Sequence, residues 1–302
     1  IQEHTSESYW ILSEDKTCMI QETVKFVPAF YKIFDEILVN AIDQSSQDSL
    51  LDCIKVNVNR ENQSISCMNT GNGIPIEIHE KEQVYIPEMI FGSLLTSSNY
   101  DDSQKRTVGG RNGYGAKLTN IFSKRFEIEI VDTKTHQKYI QIWENNMRIV
   151  NKPKITKCNN SKGYVKFTFF PDFEKFGMEH LTDNVVSLIE KRTYDACACT
   201  HDKVSVYYND LKLNIKSFEK YVDLYIGNKK TTNRVYEKTN RWEVCVCHSA
   251  AGFKQTSFVN GIFTLDGGSH VESVTSRIVA KLIENYKGKQ TIKNNFVKEH
   301  LC

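Results

Sequence analysis

The chain has 302 residues, 40% hydrophobic and 25% charged, with a formal net charge of +2, the composition of a soluble globular protein with room for one large domain or two ordinary ones. No apolar run reaches the roughly 20 residues needed to span a membrane, and no signal-type segment is visible at the start. The near-neutral balance excludes a uniformly basic surface, so a basic patch for nucleic acid must be local.

Ile1-Gln-Glu-His shows no cap or turn logic, and Val297–Cys302 reads as helical without a stop signal, so the chain looks like a fragment of something longer. Between Pro28 and Asp43, Phe30, Ile33, Phe34, Ile37, Leu38 and Ala41 recur at helical spacing. Strand-like alternation follows in 54–59 and 64–68, and Asn69-Thr-Gly-Asn-Gly-Ile-Pro75 is a turn rich in residues that tolerate positive φ. Further strands are predicted at 125–132, 138–143 and 164–170, a helix at 179–199, and strands at 203–208 and 242–248. The polar stretch 227–234 reads as a loop, 253–265 as a strand and 269–286 as a helix. This irregular mixture of helices and strands argues an α+β fold, with a soft boundary near 209–217 and no internal repeat.

The nine cysteines include Cys197-x-Cys199 and Cys245-x-Cys247, with His201 and His248 close by. The spacing is not CxxC, and Cys245 and Cys247 share one face of a period-two strand, which favours core packing over a metal site. Free buried thiols in a reducing compartment fit best.

Thr107-Val-Gly-Gly-Arg-Asn-Gly-Tyr-Gly-Ala-Lys117 packs Gly109, Gly110, Gly113 and Gly115 into seven residues and then runs into helical spacing at Leu118, Ile121 and Phe122. Glycines let backbone N–H groups approach an anion closely, and Arg111 and Lys117 add positive charge. The pattern suits a triphosphate. It fits neither GxxxxGK[ST], since Gly115 is followed by Ala-Lys-Leu, nor GxGxxG, since Gly113-Tyr-Gly115 lacks the third glycine. A surface glycine loop without a ligand is the plain alternative. In the first helix, Glu36 and Asn40 lie four residues apart and share a face. A carboxylate beside an amide oxygen suits water activation and hard-cation coordination, though a solvated Glu/Asn face is the commoner explanation for an isolated pair.

The order Glu36-xxx-Asn40, Asn69-x-Gly71-x-Gly73, Gly109–Lys117 and Lys166-Phe-Thr168 resembles the GHKL ATPases, which include gyrase, the Hsp90 chaperone, histidine kinases and the MutL mismatch-repair family. Tyr31–Ala41, Leu94-Leu-Thr-Ser-Ser-Asn-Tyr-Asp-Asp102 and Gly109–Lys117 resemble the ATPase region of eukaryotic-type type IIA DNA topoisomerases; Phe258-Val-Asn260 and Gly267-Gly-Ser-His270 resemble that family's transducer domain. The resemblance implies a GHKL (Bergerat) sandwich of helices on a mixed sheet over 1–212 and a truncated α/β transducer domain over 213–302. It implies ATP and Mg²⁺ as cofactors and duplex DNA as partner. It also implies an ATP-dependent homodimer working inside the cell, in the nucleus if cellular or the host cytoplasm if viral.

Carried over, Glu36 is the general base and Asn40 the Mg²⁺ ligand. Asn69 bonds the adenine, and Ser97, Ser98 and Asn99 contact ribose and phosphate. Gly110, Arg111, Asn112, Gly113, Tyr114, Gly115, Ala116 and Lys117 wrap the triphosphate, and Thr168 lies near the adenine. The family's downstream Gln-Thr-Lys loop does not occur in the chain, and neither its N-terminal strap nor its DNA-cleaving tyrosine is expected within it. Lys287-Gly-Lys289 matches a lysine-rich loop that faces DNA in the family, although cations beside a helix C-terminus need no such role. An Asn-, Lys- and Ile-rich composition with few prolines hints at an AT-rich genome, such as that of a protist or a large cytoplasmic DNA virus.

Overall fold

The computed structural model describes residues 1–92 and 115–302. A hairpin leads: β1 (Thr5–Leu12) and β2 (Met19–Phe26) pair antiparallel around a loop in which Asp15 accepts from the Ser13 and Thr17 hydroxyls. Few of its side chains turn inward, chiefly Tyr9, Ile11, Val24 and Phe26, so it leaves no clean alternation to read. α1 (Pro28–Gln47) follows directly, with Pro28 in the first turn, where its missing N–H has no partner to lose. The predicted apolar stripe is buried along its whole length, and the helix continues past Asp43 to Gln47.

Next come β3 (Cys53–Asn59), β4 (Ser64–Thr70), α2 (Ile86–Gly92), α3 (Gly115–Ile121), β5 (Ser123–Asp132) and β6 (Gln137–Glu144). They are followed by β7 (Ile149–Val150), β8 (Lys154–Lys157), β9 (Tyr164–Pro171), α4 (Asp183–Cys199), β10 (Ser205–Tyr208) and β11 (Leu211–Lys212). The strands form one nine-stranded sheet in the order β11-β10-β3-β4-β9-β5-β6-β7, with β8 also paired to β6. Among the described strands only the β10–β3 pair is parallel; the sheet is therefore mixed and the fold α+β.

Alternation along the central strands separates the two faces. Ile54, Ile65, Phe126, Ile128, Phe167 and Phe169 are fully or almost fully buried in the core that α1 and α4 cover, while their neighbours in sequence are half-buried on the other side. α4 starts at Asp183 rather than at 179, because the Thr182 hydroxyl caps it by accepting from the Val185 amide.

The remaining elements are α5 (Phe218–Ile226), β12 (Arg234–Lys238), β13 (Glu243–Cys247), β14 (Phe258–Val259), β15 (Ile262–Phe263), α6 (Ser269–Glu284) and α7 (Asn294–Lys298). Two expectations need correction. The strand predicted over 253–265 is a tight hairpin, because Asn260 and Gly261 both take positive φ (49° and 74°), the combination a two-residue hairpin turn demands. The chain end is not helical throughout: past α7, His300 and Cys302 pair with Ser249 and Cys247 through backbone hydrogen bonds. All nine cysteines are free; Cys67, Cys197 and Cys247 are buried, and Cys18 is exposed.

Asp48, at the end of α1, organises the turn after β4. Its carboxylate accepts from the Leu50 amide at 2.9 Å, the Asn72 amide at 2.6 Å and the Asn72 side chain at 2.9 Å. A side chain on Gly71 would collide with this carboxylate. Asp48→Ala should cost about 1 kcal/mol in urea unfolding, since the turn loses the acceptor that its amides share; Asp48→Asn, which keeps one acceptor oxygen, should cost less.

Candidate active site

α1 buries Phe34, Ile37, Leu38 and Ala41 and leaves Glu36 and Asn40 half-buried, one turn apart on the same side. Lys32, one turn earlier, donates to Glu36 Oε1 at 2.8 Å and reaches Asp35 at 3.5 Å. Burial works against the Lys32 charge, but the two carboxylates outweigh it and hold its pKa above the usual lysine value.

The far end of the glycine motif sits directly on this carboxylate. A Cβ on Gly115 would run into Glu36 Oε2, so only glycine lets the start of α3 approach so closely. Two further contacts hold α3 in place. The Thr119 hydroxyl donates to the Ile33 carbonyl of α1 at 2.7 Å, and the Asn120 amide donates to the Phe91 carbonyl of α2 at 3.2 Å. Lys117 and Asn120 are both buried, at 1% and 0% exposure. Burial pulls the Lys117 ammonium below its usual pKa, and Asn120 Oδ1 has no hydrogen-bond partner among the described residues.

Asn69 closes β4 on the helix-covered face, 8% exposed, its amide donating to the Thr70 carbonyl at 3.1 Å. Thr70 accepts from the Asp52 and Cys53 amides and donates to Asp52. Beyond it the Gly71 amide bonds the Gly163 carbonyl at 3.0 Å, and a Cβ on Gly163 would strike the Gly71 carbonyl. The turn and the start of β9 are thereby locked together.

Thr168 lies on the other side of the sheet from Asn69. It pairs with Ser66 and Glu127 and points to the sheet face opposite the helices, whereas Val165 lies directly across from Asn69 and shares its face. Ser97, Ser98, Asn99, Gly110, Arg111, Asn112, Gly113 and Tyr114 lie outside the described residues. Lys287 and Lys289 are exposed in the segment between α6 and α7.

A family model described as histidine kinase-, DNA gyrase B-, and HSP90-like ATPase matches residues 27–175, and the DNA gyrase B model matches 212–302. The crystal structure of the ATPase region of Saccharomyces cerevisiae topoisomerase II superposes with a TM-score of 0.91 at 46% identity, covering 99% of this chain and 78% of that one. The chain belongs to the topoisomerase II ATPase-region family. The ATPase and transducer domains of DNA topoisomerase II from Balamuthia mandrillaris give 0.89 at 39% identity, covering 99% of this chain and 77% of that one. DNA topoisomerase 2 of Arabidopsis thaliana is 50% identical over 311 residues, 100% of this chain but 21% of the relative. The chain thus spans about a fifth of the length of that curated relative.

Within this family frame, sequence reasoning missed Val165, Asn120, Gly163 and the Asp48 clamp. Gly163, alone before a strand, was the one visible signal, since an isolated glycine there marks close backbone approach; Asn120 looked like an ordinary helix residue.

The Lys117 displacement makes a pH prediction. Its folded-state pKa lies below the unfolded value, so between the two the unfolded chain binds more protons and stability rises with pH. Lys117→Met should therefore gain most over the parent below the folded pKa, and the gain should shrink as pH climbs toward about 10.4, the unperturbed lysine value. Urea unfolding of both proteins across pH 7 to 10.5 checks this; a pH-independent difference contradicts it.

Proposed function

We propose that the chain is the ATP-binding and hydrolysing gate of a type IIA DNA topoisomerase. In this reading, ATP-driven homodimerisation is coupled to passage of one duplex through a break in another, inside the cell. The apposition of Gly115 and Glu36 carries the proposal, because it brings the last glycine of the phosphate-type motif against a carboxylate placed to activate water. Chaperone and mismatch-repair ATPases fit less well, given 46% identity to a topoisomerase II ATPase region across 99% of the chain.

Glu36 orients and deprotonates the attacking water, with Lys32 steadying its other oxygen. Asn69, buried at the end of β4, offers its amide to the adenine, with Val165 as the apolar neighbour across the strand pair. Ser97, Ser98 and Asn99 contact ribose and phosphate. Gly110 to Lys117 wrap the triphosphate, where backbone amides, Arg111 and Lys117 offset its charge. The half-buried amide oxygen of Asn40 beside Glu36 is a hard donor suited to Mg²⁺. That ion, when bound, neutralises phosphate charge. Residues 1–212 would form the nucleotide-binding unit and 213–302 part of the transducer.

Glu36→Gln preserves shape and removes the proton acceptor, so nucleotide affinity should hold while turnover falls roughly 10²-fold or more. Equilibrium binding of an ATP analogue and steady-state hydrolysis on the intact protein decide it; near-normal turnover sinks the assignment. Lys287 and Lys289 stand exposed on an almost neutral chain, a local basic site suited to DNA phosphates. Replacing both by Ala should leave basal hydrolysis intact, reduce stimulation by duplex DNA, and flatten the salt dependence by up to about one unit per lysine. Full stimulation at every salt concentration would remove them from the DNA contact.

A further inference from the structure

Behind the catalytic face of α1 lies a buried set of charges that the hydrolysis chemistry does not use. Arg192 on α4 is 0% exposed. Its Nε donates to Asp35 Oδ1 at 2.6 Å, and its Nη2 donates to the carbonyl of Gly261 at 2.7 Å. Asp35 is the residue immediately before Glu36. Gly261 is the turn of the β14–β15 hairpin, far along the chain. One guanidinium therefore grips the helix that carries the general base with one edge and the hairpin with another.

The hairpin meets α1 a second time. A Cβ on Gly261 would come within 2.8 Å of Ile42 Cγ2. The turn thus rests against α1 at Ile42 and reaches it through Arg192 at Asp35. Its flank is held as well: Lys191 sits 3.8 Å from the centroid of the Phe263 ring while donating to Asp195 at 2.8 Å. Asp195 accepts from the Tyr221 hydroxyl of α5 at 2.6 Å. Asp35, Arg192, Asp195 and Lys191 balance one another in charge, and all four are at least nine-tenths buried. Such a set tolerates no gradual loosening, because an ion that loses its partner stays desolvated. A displaced hairpin must carry Arg192 with it or leave the bond to Gly261 broken.

We propose that Arg192 is a positioning residue that couples the Asn260–Gly261 turn to the Glu36 helix, so that nucleotide bound at α1 and movement of the hairpin each change the other. The inference rests on the nucleotide-binding reading above. Coupling of this kind is reciprocal. A lysine in place of Arg192 keeps a charge for Asp35 but lacks the planar fork that reaches both partners.

Amide hydrogen exchange on this chain, with and without adenylyl imidodiphosphate and Mg²⁺, tests it. In the parent, nucleotide should protect α1 and slow exchange across 258–263 by about tenfold, within the range usual for coupled sites. In Arg192→Lys the protection of α1 should persist and that of 258–263 should vanish. Gly261→Ala pushes the turn off Ile42 without replacing a buried charge; it should give the same loss, and it decides the matter if Arg192→Lys does not fold. No protection of α1 in the parent overturns the nucleotide reading and the coupling with it. Protection of α1 without any at 258–263 overturns the coupling alone. Retained hairpin protection in a folded Arg192→Lys, or in Gly261→Ala, overturns the role given to Arg192 and its turn.

Discussion

Four charges almost without water contact, Asp35, Lys191, Arg192 and Asp195, govern how the helices of this chain meet. Removing one partner from such a set typically costs about 3–5 kcal/mol, since the remaining charge stays buried. α1, α4, α5 and the β14–β15 hairpin each contribute a partner, so their mutual placement is specified far more sharply than apolar packing alone would specify it. Burial opposes ionisation of Arg192, yet Asp35 and its neighbours more than compensate and hold the guanidinium above its usual value; Lys191, where burial dominates, is pulled down. α1 is thereby fixed in rotation about its axis. Asp35 must face Arg192, and Glu36 is turned toward Gly115 at the start of α3.

That rotation explains which parts of the site were legible. α1 shows a strong 3.6-residue period, so its inward stripe and the shared side of Glu36 and Asn40 follow from spacing. The strands of the central sheet were likewise readable, because one face is apolar and the other polar. The side taken by Thr168 could not be read for a related reason. A strand alternates sides at every residue, and its place beside Asn69 depends on register, which only the pairing of β4 with β9 supplies. Val165, not Thr168, shares the side of Asn69. The first hairpin and the short β14 and β15 strands bury too few side chains to leave a period, and their shape comes from turn chemistry at Asp15 and at Asn260-Gly261.

Arg192 was invisible for a different reason. In Glu190-Lys191-Arg192 it reads as part of a solvated helical face, the usual place for such residues. What puts it inside is tertiary. Asp35 arrives from α1, and the hairpin lies far along the chain, so no local pattern encodes the contact. Asn120 is similar: its burial and its bond to Phe91 depend on α2 and α3 meeting. Features set by long-range packing are the ones spacing cannot report.

The same desolvation acts at the proposed phosphate end of the site. Lys117 is buried, and its ammonium is depressed by that burial. An anionic ligand beside it would restore the charged form, as any opposite charge within a few ångströms does. Wherever the pH lies between the free and bound values, binding such an anion would then be accompanied by proton uptake. Burial therefore strengthens the electrostatic pull of Lys117 on a neighbouring anion, by lowering the local dielectric.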